Sequence, residues 1–216
     1  MLHACAILMD IVRSRELPDR VGAQRRIEET LAVASQGLGL LAKPYASVGD
    51  EFQSVAPTLG GALVLTERVQ LLLPDGLMLR YGIGEGEIQN IGGDAARVLQ
   101  DGSAWWRARE AIDHAHEVQD AGAEYLLTCY RGGSDEEEQA LVNALLTLRD
   151  HSLAGLGGRQ RRMLAGLTSG QTQARVAAEI GVSQAAVSQF VVSKGAALLA
   201  AHRLLVVAAA TVEAER

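Results

Sequence analysis

The sequence predicts an α+β protein, with a ferredoxin-like domain followed by an all-α domain that contains a helix-turn-helix. In residues 1–134, strand and helix patterns succeed one another in the order β-α-β-β-α-β, then α-β, which is the ferredoxin-like order with an extension. Residues 155–216 contain two short helical patterns separated by Gly181. We expect one helix over residues 135–154 to connect the two domains.

Apolar runs and turn residues define the elements of the first domain. Gly49 and Asp50 separate two short strand patterns and indicate a tight hairpin turn. Ser103 precedes a helical pattern, so we expect its side chain to cap that helix. The expected elements are a strand over 2–12, a helix over 18–36, strands over 44–48 and 52–56, a helix over 58–73, a strand over 77–88, a glycine-rich loop over 91–94, a helix over 103–121 and a strand over 125–130.

Charge is distributed unevenly along the chain. Residues 1–150 carry 13 Lys and Arg against 23 Asp and Glu. Residues 151–205 carry six basic residues against the single acid Glu179. A basic segment that coincides with a helix-turn-helix favours double-stranded DNA as the partner of the second domain.

The helix-turn-helix is predicted from two caps and a turn glycine. Thr172 and Ser183 are each placed to cap a helix, and Gly181 suits the turn between the helices because it accepts positive φ. The side chains expected to pack inward are Val176, Ala177, Ile180 and Val187. Those expected to face outward, where a recognition helix meets base edges, are Gln184, Ala185, Ser188 and Gln189. The alternative is a helical hairpin that only packs against another surface.

The DNA-binding prediction assigns two kinds of contact. Glutamine pairs with adenine, and serine bonds to phosphate or base. Arginine and lysine side chains are expected to supply most of the affinity through phosphates, with strong salt dependence. The candidate DNA-binding residues are Arg162, Thr172, Gln173, Arg175, Ser183, Gln184, Ser188, Gln189 and Lys194.

Two acids in the first domain are candidate metal ligands. Asp10 ends the first strand, and Asp50 lies at the tip of the hairpin between the second and third strands. Because the first and third strands are neighbours in a ferredoxin-like sheet, both acids are expected at one edge, where they can share Mg²⁺ or Mn²⁺. Strand alternation is expected to point Glu51 to the opposite face. The alternative is that both aspartates are only turn and cap acids.

The segment after Asp10 is a candidate phosphate site. The carbonyl group of Ile11 is placed to add a ligand to the metal, and the turn up to Ser14 is placed to hold a phosphate before the helix. Arg15 is placed to pair with that phosphate. The expected ligand is therefore a nucleotide with a divalent cation.

Several of these segments resemble the motifs of class III nucleotidyl cyclases. The matching segments are Asp10–Val12, Val48–Phe52, Arg80–Glu87 and Ala108–Arg109. The resemblance implies that Asp10 and Asp50 bind metal ions and that Arg109 lies at the nucleotide. Trp105 stands where those cyclases have a transition-state asparagine, and no lysine directly precedes Gly49. The resemblance therefore assigns no catalytic residue.

A closer resemblance, to the SatD family, spans residues 4 to about 192. The matching segments are Asp10–Val12, Ser14–Arg15, Gly49–Gln53, Gly82–Gly84, Asp101–Gly102, Ala108–Glu110, Thr172–Gln173 and Ser183–Gln184. This family is commonly called a transcriptional regulator, so the resemblance implies regulation of transcription and the two-domain architecture.

The cysteines and the two ends of the chain bear on location and assembly. Cys5 and Cys129 lie in apolar runs, which is typical of buried thiols in the cytoplasm, and the first residues lack the basic start of a signal peptide. The apolar segment 196–212 is interrupted by His202 and Arg203, so we expect a packing helix and no membrane span. Burial against a second copy or against the first domain would explain it, and we favour a homodimer.

Three functional hypotheses follow. The first is a DNA-binding transcriptional regulator whose cyclase-like domain is a nucleotide and metal sensor or a dimerisation platform. The alternative is a nucleotidyl cyclase, or related metal-dependent phosphoryl-transfer enzyme, with an appended helix-turn-helix. The third is a protein-interaction module that never contacts DNA.

Overall fold

The computed structural model describes residues 2–47, 49–94, 97–133 and 135–210. Val48 of the predicted hairpin and residues 211–216, which include the end of the predicted packing helix, lie outside this description. The part of the chain that the structure describes is α+β, with one six-stranded, mostly antiparallel sheet. Its strands are β1 Leu2–Ile11, β2 Ala42–Ala46, β3 Glu51–Ala56, β4 Leu79–Asp94, β5 Arg97–Asp101 and β6 Thr128–Arg131.

In the described ranges, four α-helices accompany the sheet and four follow one another in the C-terminal part. A short 3₁₀ turn over Ser14–Glu16 precedes the first helix, and a π-helical segment over Val191–Gly195 precedes the last. The α-helices are α1 Arg20–Ala34, α2 Leu59–Leu72, α3 Ser103–Asp120, α4 Glu136–Ala154, α5 Gly158–Thr168, α6 Gln173–Ile180, α7 Gln184–Phe190 and α8 Ala196–Ala210.

The first strand is central in the sheet. The strand order is β2-β3-β1-β4-β5, and β1 pairs antiparallel with both β3 and β4. The short β6 pairs with β4 and is parallel to it. The register places Asp10 of β1 between Glu51 of β3 and Arg80 of β4. The sheet therefore brings charged residues of three neighbouring strands together where β1 ends. We call this end of the three strands the sheet edge.

Helices cover both faces of β1, which is why its sequence is an almost unbroken apolar run. Cys5, Ile7 and Met9 pack into the main core with α1 and α2. Ala4, Ala6 and Leu8 pack with residues of α3. Cys5 and Cys129 are both buried and free, as the sequence predicted.

The approach of α3 to the sheet depends on two glycines of β4. A Cβ on Gly82 would lie 2.2 Å from the carbonyl oxygen of Ala108, and one on Gly84 would lie 2.1 Å from that of Ala104. Any side chain at these positions would push the helix away. The glycines therefore serve the packing of backbone against backbone.

Two predictions about the segment before α3 are wrong. Residues 91–94 are not a loop: β4 continues to Asp94 and pairs with β5, a strand that the sequence pattern missed. The glycines that suggested a loop accompany a register shift between Asn90 and Gly92. Ser103 does not cap α3 from outside, because it is the first helical residue and its hydroxyl accepts the backbone N–H of Glu87.

The C-terminal helices pack on one another and on α2. Helices α5 to α8 share a second hydrophobic cluster that includes Leu164, Val187 and Phe190. Further along, α8 lies directly on α2, where the backbone of Ala208 would be 2.6 Å from a Cβ on Gly60. Nδ1 of His202 lies 2.5 Å from Oε2 of Glu67, and both side chains are buried. The apolar C-terminal segment is therefore buried in part against the sheet domain.

The continuous helical run Gln184–Ala210 has the length and composition that a membrane span requires, with a mean hydropathy of 1.6. Only 28% of its most apolar window is buried. One such helix is weak support for a membrane location, since helices that pack inside proteins have the same composition. The buried contact between His202 and Glu67 supports its interpretation as a packing helix.

Candidate nucleic-acid and ligand sites

Local hydrogen bonds fix the α6–α7 pair as the sequence predicted. The Thr172 hydroxyl accepts the N–H of Arg175 at 3.3 Å, and the Ser183 hydroxyl accepts the N–H of Ala186 at 3.2 Å. Gly181 ends α6 in the left-handed region with φ of 68°. Val176 and Val187, one on each helix, are buried in the same hydrophobic cluster. Both caps and the turn glycine are thus confirmed.

The outer face of α7 is open to solvent. Among the described residues, none forms a side-chain hydrogen bond with Gln184, Ser188 or Gln189, and all three are exposed. Ala185 is exposed beside them. α7 buries Val187 and Phe190, and its polar side chains Gln184, Ser188 and Gln189 lie on the part of the helix that faces away from them.

The other candidate DNA-binding residues lie on or near α6 and α7, and several of them already contact protein groups. Arg162 is exposed on α5, and Gln173 is half-buried at the start of α6. Nε of Arg175 lies 2.9 Å from Oε1 of Glu179. Nζ of Lys194 donates to the carbonyl oxygen of Gly155 at 3.3 Å. Thr172 and Ser183 already use their hydroxyl oxygens as cap acceptors.

Asp10 has a buried arginine as its counter-ion at the sheet edge. Nη1 of Arg80 lies 3.1 and 2.9 Å from the two carboxylate oxygens, and Nε of Arg80 donates to Gln119 of α3 at 2.8 Å. Burial raises the pKa of Asp10 above its ordinary value, Arg80 opposes that rise, and the charge of Asp50 adds to it. The charge of Asp50 therefore disfavours ionisation of Asp10, and that of Arg80 favours it.

The interpretation of Glu51 is wrong. Glu51 is the direct cross-strand partner of Asp10, and residues that are directly opposite share a face of the sheet. Its carboxylate accepts hydrogen bonds from Arg109 at 2.5 Å, from Ser47 at 3.1 Å and from Gln53 at 3.0 Å. Arg109, the predicted nucleotide ligand, is therefore paired with a protein carboxylate.

The turn after β1 places the remaining phosphate candidates next to Asp10. Ile11 is buried, and the N–H of Val12 is used by the carbonyl oxygen of Met78 at 3.0 Å. Arg13 has a φ of 54° and pairs with Glu124. Ser14 and Arg15 follow in the 3₁₀ turn, where Arg15 is exposed. The N–H of Val12 is thus not available to a phosphate, whereas Arg15 is accessible.

Sequence reasoning missed Arg80 and the pair formed by Glu67 and His202. Arg80 is followed in β4 by Tyr81, Gly82, Ile83 and Gly84, and a single arginine before this uncharged stretch was the only signal of a buried counter-ion. Glu67 and His202 are separated by 135 positions, and no spacing pattern connects them. Among the described residues, no group of three or more His, Cys, Asp or Glu side chains is arranged to hold a metal ion.

The fold and these sites define a class of protein. It is a mixed α+β chain whose sheet has a charged edge and is followed in the sequence by a capped pair of short helices. A model of the SatD family matches residues 4–203. The chain therefore belongs to the SatD family. A comparison with curated proteins found no match to this chain.

Proposed function

We propose that this protein is a DNA-binding transcriptional regulator in which α6, Gly181 and α7 form a helix-turn-helix and α7 is the recognition helix. The observation that carries the proposal is the exposed polar surface of α7, formed by Gln184, Ser188 and Gln189, on a helix whose other face is buried. A recognition helix needs such a surface to reach base edges in the major groove.

The sheet domain is proposed to be ferredoxin-like and related to nucleotidyl cyclases. The strand order β2-β3-β1-β4, with β1 antiparallel to both neighbours, supports this proposal. Helices α1 and α2 pack on one face of the central strand, as in that arrangement. In the regulator, this domain is a sensor or a dimerisation platform.

A nucleotide with Mg²⁺ or Mn²⁺ at Asp10 and Asp50 remains part of the sensor proposal. The divalent ion would compete with Arg80, which already contacts both carboxylate oxygens of Asp10. This competition favours a regulatory site over the alternative of a cyclase. Thermal unfolding with each nucleoside triphosphate, with and without Mg²⁺, tests the proposal: a stabilisation that requires both components and disappears in Asp50→Asn would support it. No stabilisation by any combination would contradict it.

The regulator is proposed to act as a homodimer. Leu141 and Leu148 lie along one face of α4 and expose 65% and 69% of their surface, and Leu204 of α8 exposes 71%. A groove of about 420 Å³ between α4 and α8, lined by Leu145, Leu148 and Leu205 among others, joins the two helices. Exposed leucines on two helices that border the same groove are typical of a self-association interface.

Light scattering after size exclusion tests the dimer. The native chain is expected to have twice its chain mass, and Leu148→Glu is expected to shift it to the monomer because a charge would be buried at the interface. Val21→Glu, at a position 84% exposed on α1, is the matched control and should remain dimeric. Identical masses for the native chain and Leu148→Glu at every concentration would contradict the proposal.

Anisotropy titration with labelled genomic fragments at several salt concentrations tests DNA binding. We expect affinity to fall steeply with salt because basic residues of the C-terminal part contact phosphates. Absence of binding to every fragment at low salt would overturn the regulator proposal.

A further inference from the structure

A cavity of about 900 Å³ lies where the sheet domain meets the C-terminal helices. The C-terminal ends of α1 and α2 form one wall, and α5 and α6 form the other. We propose that this cavity binds a small amphipathic anion, one that joins an apolar body to a carboxylate, sulfonate or phosphate group.

The size and position of the cavity suit a small organic molecule. Ligand pockets typically enclose roughly 300–1,000 Å³ and occur preferentially where two units of a fold meet. The cavity is distinct from the sheet edge at Asp10, because no residue of that edge lines it. It is also separate from the groove between α4 and α8, with which it shares no lining residue.

Some apolar side chains of the cavity lining are exposed to solvent and are available to an apolar part of the ligand. Val33 and Leu72 line the cavity and remain 52% and 39% exposed. Ile180 is half-buried beside them, and behind this surface lie the buried side chains of Leu71 and Val176. Covering such surface is favourable, at about 25 cal/mol for each Å² removed from water.

Positive charge remains after the ion pairs of the lining are counted. Arg161 pairs with Asp75, and the carboxylate of Glu179 accepts hydrogen bonds from Arg175 and Gln171. Within the described part of the chain, Arg68 donates to the carbonyl oxygens of Ala34 and Gln36, at 3.4 and 2.9 Å, and the nearby charge of Glu67 favours its charged form without a direct ion pair.

The lining also contains an arginine on the opposite wall. Arg162 of α5 is exposed, and no described residue forms an ion pair with it. Arg68 and Arg162 thus stand on different walls, and neither guanidinium group forms an ion pair with a carboxylate of the described residues. Guanidinium groups bind carboxylate, sulfonate and phosphate well.

A ligand in this cavity would contact α2 and the helix pair α5–α6 at the same time. A molecule that binds one arrangement of these elements better than another shifts the protein toward that arrangement. The inference that the ligand regulates DNA binding rests on the proposed function. The inference that the cavity binds an anion does not rest on it.

The test uses two dyes with the same rings. 8-Anilinonaphthalene-1-sulfonate carries a sulfonate, and N-phenyl-1-naphthylamine does not. We expect one saturable site for the sulfonate dye on the native chain and an affinity for the neutral dye that is weaker by about tenfold. The assay contains no DNA, so its result does not depend on whether the chain binds DNA.

A matched pair of variants locates the site. Val33→Trp fills the cavity from an exposed position and should weaken binding of the sulfonate dye by about tenfold. Val21→Trp lies on the same helix outside the lining, and its affinity should equal that of the native chain. Melting temperatures of both variants verify folding. Absence of dye binding, equal affinities for the two dyes, or equal affinities of the two variants would each overturn the proposal.

Discussion

The sheet edge at Asp10 and the outer surface of α7 are both polar, yet they differ in how their polar groups are satisfied. At the sheet edge, Asp10 is paired with Arg80, and Glu51 with Arg109. On α7, Gln184, Ser188 and Gln189 face solvent without a protein partner among the described residues. A ligand at the sheet edge would have to compete with the ion pairs already present there, whereas a ligand of α7 meets polar side chains that no protein group occupies.

The largest expected effect concerns the ion pair between Asp10 and Arg80 at the sheet edge. Arg80→Met removes the buried counter-ion of Asp10 and should lower the free energy of unfolding by about 3 kcal/mol, because a mostly buried carboxylate is left unpaired. Urea denaturation measures the change. A second variant, Asp10→Asn with Arg80→Met, removes both charges and should recover a large part of the loss. A loss below about 0.5 kcal/mol in Arg80→Met would show that the pair is not structural.

A smaller effect is expected at the cap of α7. Ser183→Ala removes the hydroxyl that accepts the N–H of Ala186 and should cost about 1 kcal/mol of stability. Ser188→Ala, on the exposed surface of the same helix, is the matched control and should change the unfolding free energy by less than about 0.5 kcal/mol. Equal destabilisation by the two variants would mean that the open surface of α7 also supports the fold.

These comparisons show which features the sequence could predict. The caps Thr172 and Ser183, the turn at Gly181 and the buried stripe of α6 and α7 depend on contacts within a few residues, so a local pattern contains them. The succession of the first four strands along the chain could also be predicted, because apolar runs mark β1 and β4 and the turn at Gly49 and Asp50 separates β2 from β3.

The rest depends on long-range register. The pairing of Arg80 with Asp10, and the location of Glu51 on the face of Asp10, become visible only when β1 is aligned with β3 and β4. Strand β5 was missed because the glycines of the adjacent strand resembled a loop. The docking of α8 on α2 rests on Gly60 and on the contact between Glu67 and His202, which lie far apart in sequence.

The smallest expected effect concerns Asp50 and depends on pH. Burial, and the charge of Asp50, raise the pKa of Asp10 in the folded protein. Stability contributed by this group is therefore fully present below its unfolded pKa of about 3.9 and is lost as pH rises through the folded pKa. Asp50→Asn should lower that folded pKa and reduce the loss, by less than about 0.5 kcal/mol at neutral pH.

Unfolding curves of the native chain and Asp50→Asn at several pH values from about 3 to 7 provide the test. Asp113→Asn, which changes a carboxylate that is not among the causes of the Asp10 pKa shift, is the control. A larger loss of stability in Asp50→Asn than in the native chain would indicate that Asp50 stabilises the edge instead of opposing the ionisation of Asp10.

The most direct test of the central proposal is a DNA titration of a triple variant, Gln184→Ala with Ser188→Ala and Gln189→Ala. On a fragment that the native chain binds, the variant should lose at least about tenfold in affinity, since base contacts contribute about 1–3 kcal/mol each, while its unfolding free energy stays unchanged. Gln24→Ala on α1 should bind as the native chain does. Undiminished binding by a folded triple variant would contradict the assignment of α7 as the surface that reads DNA.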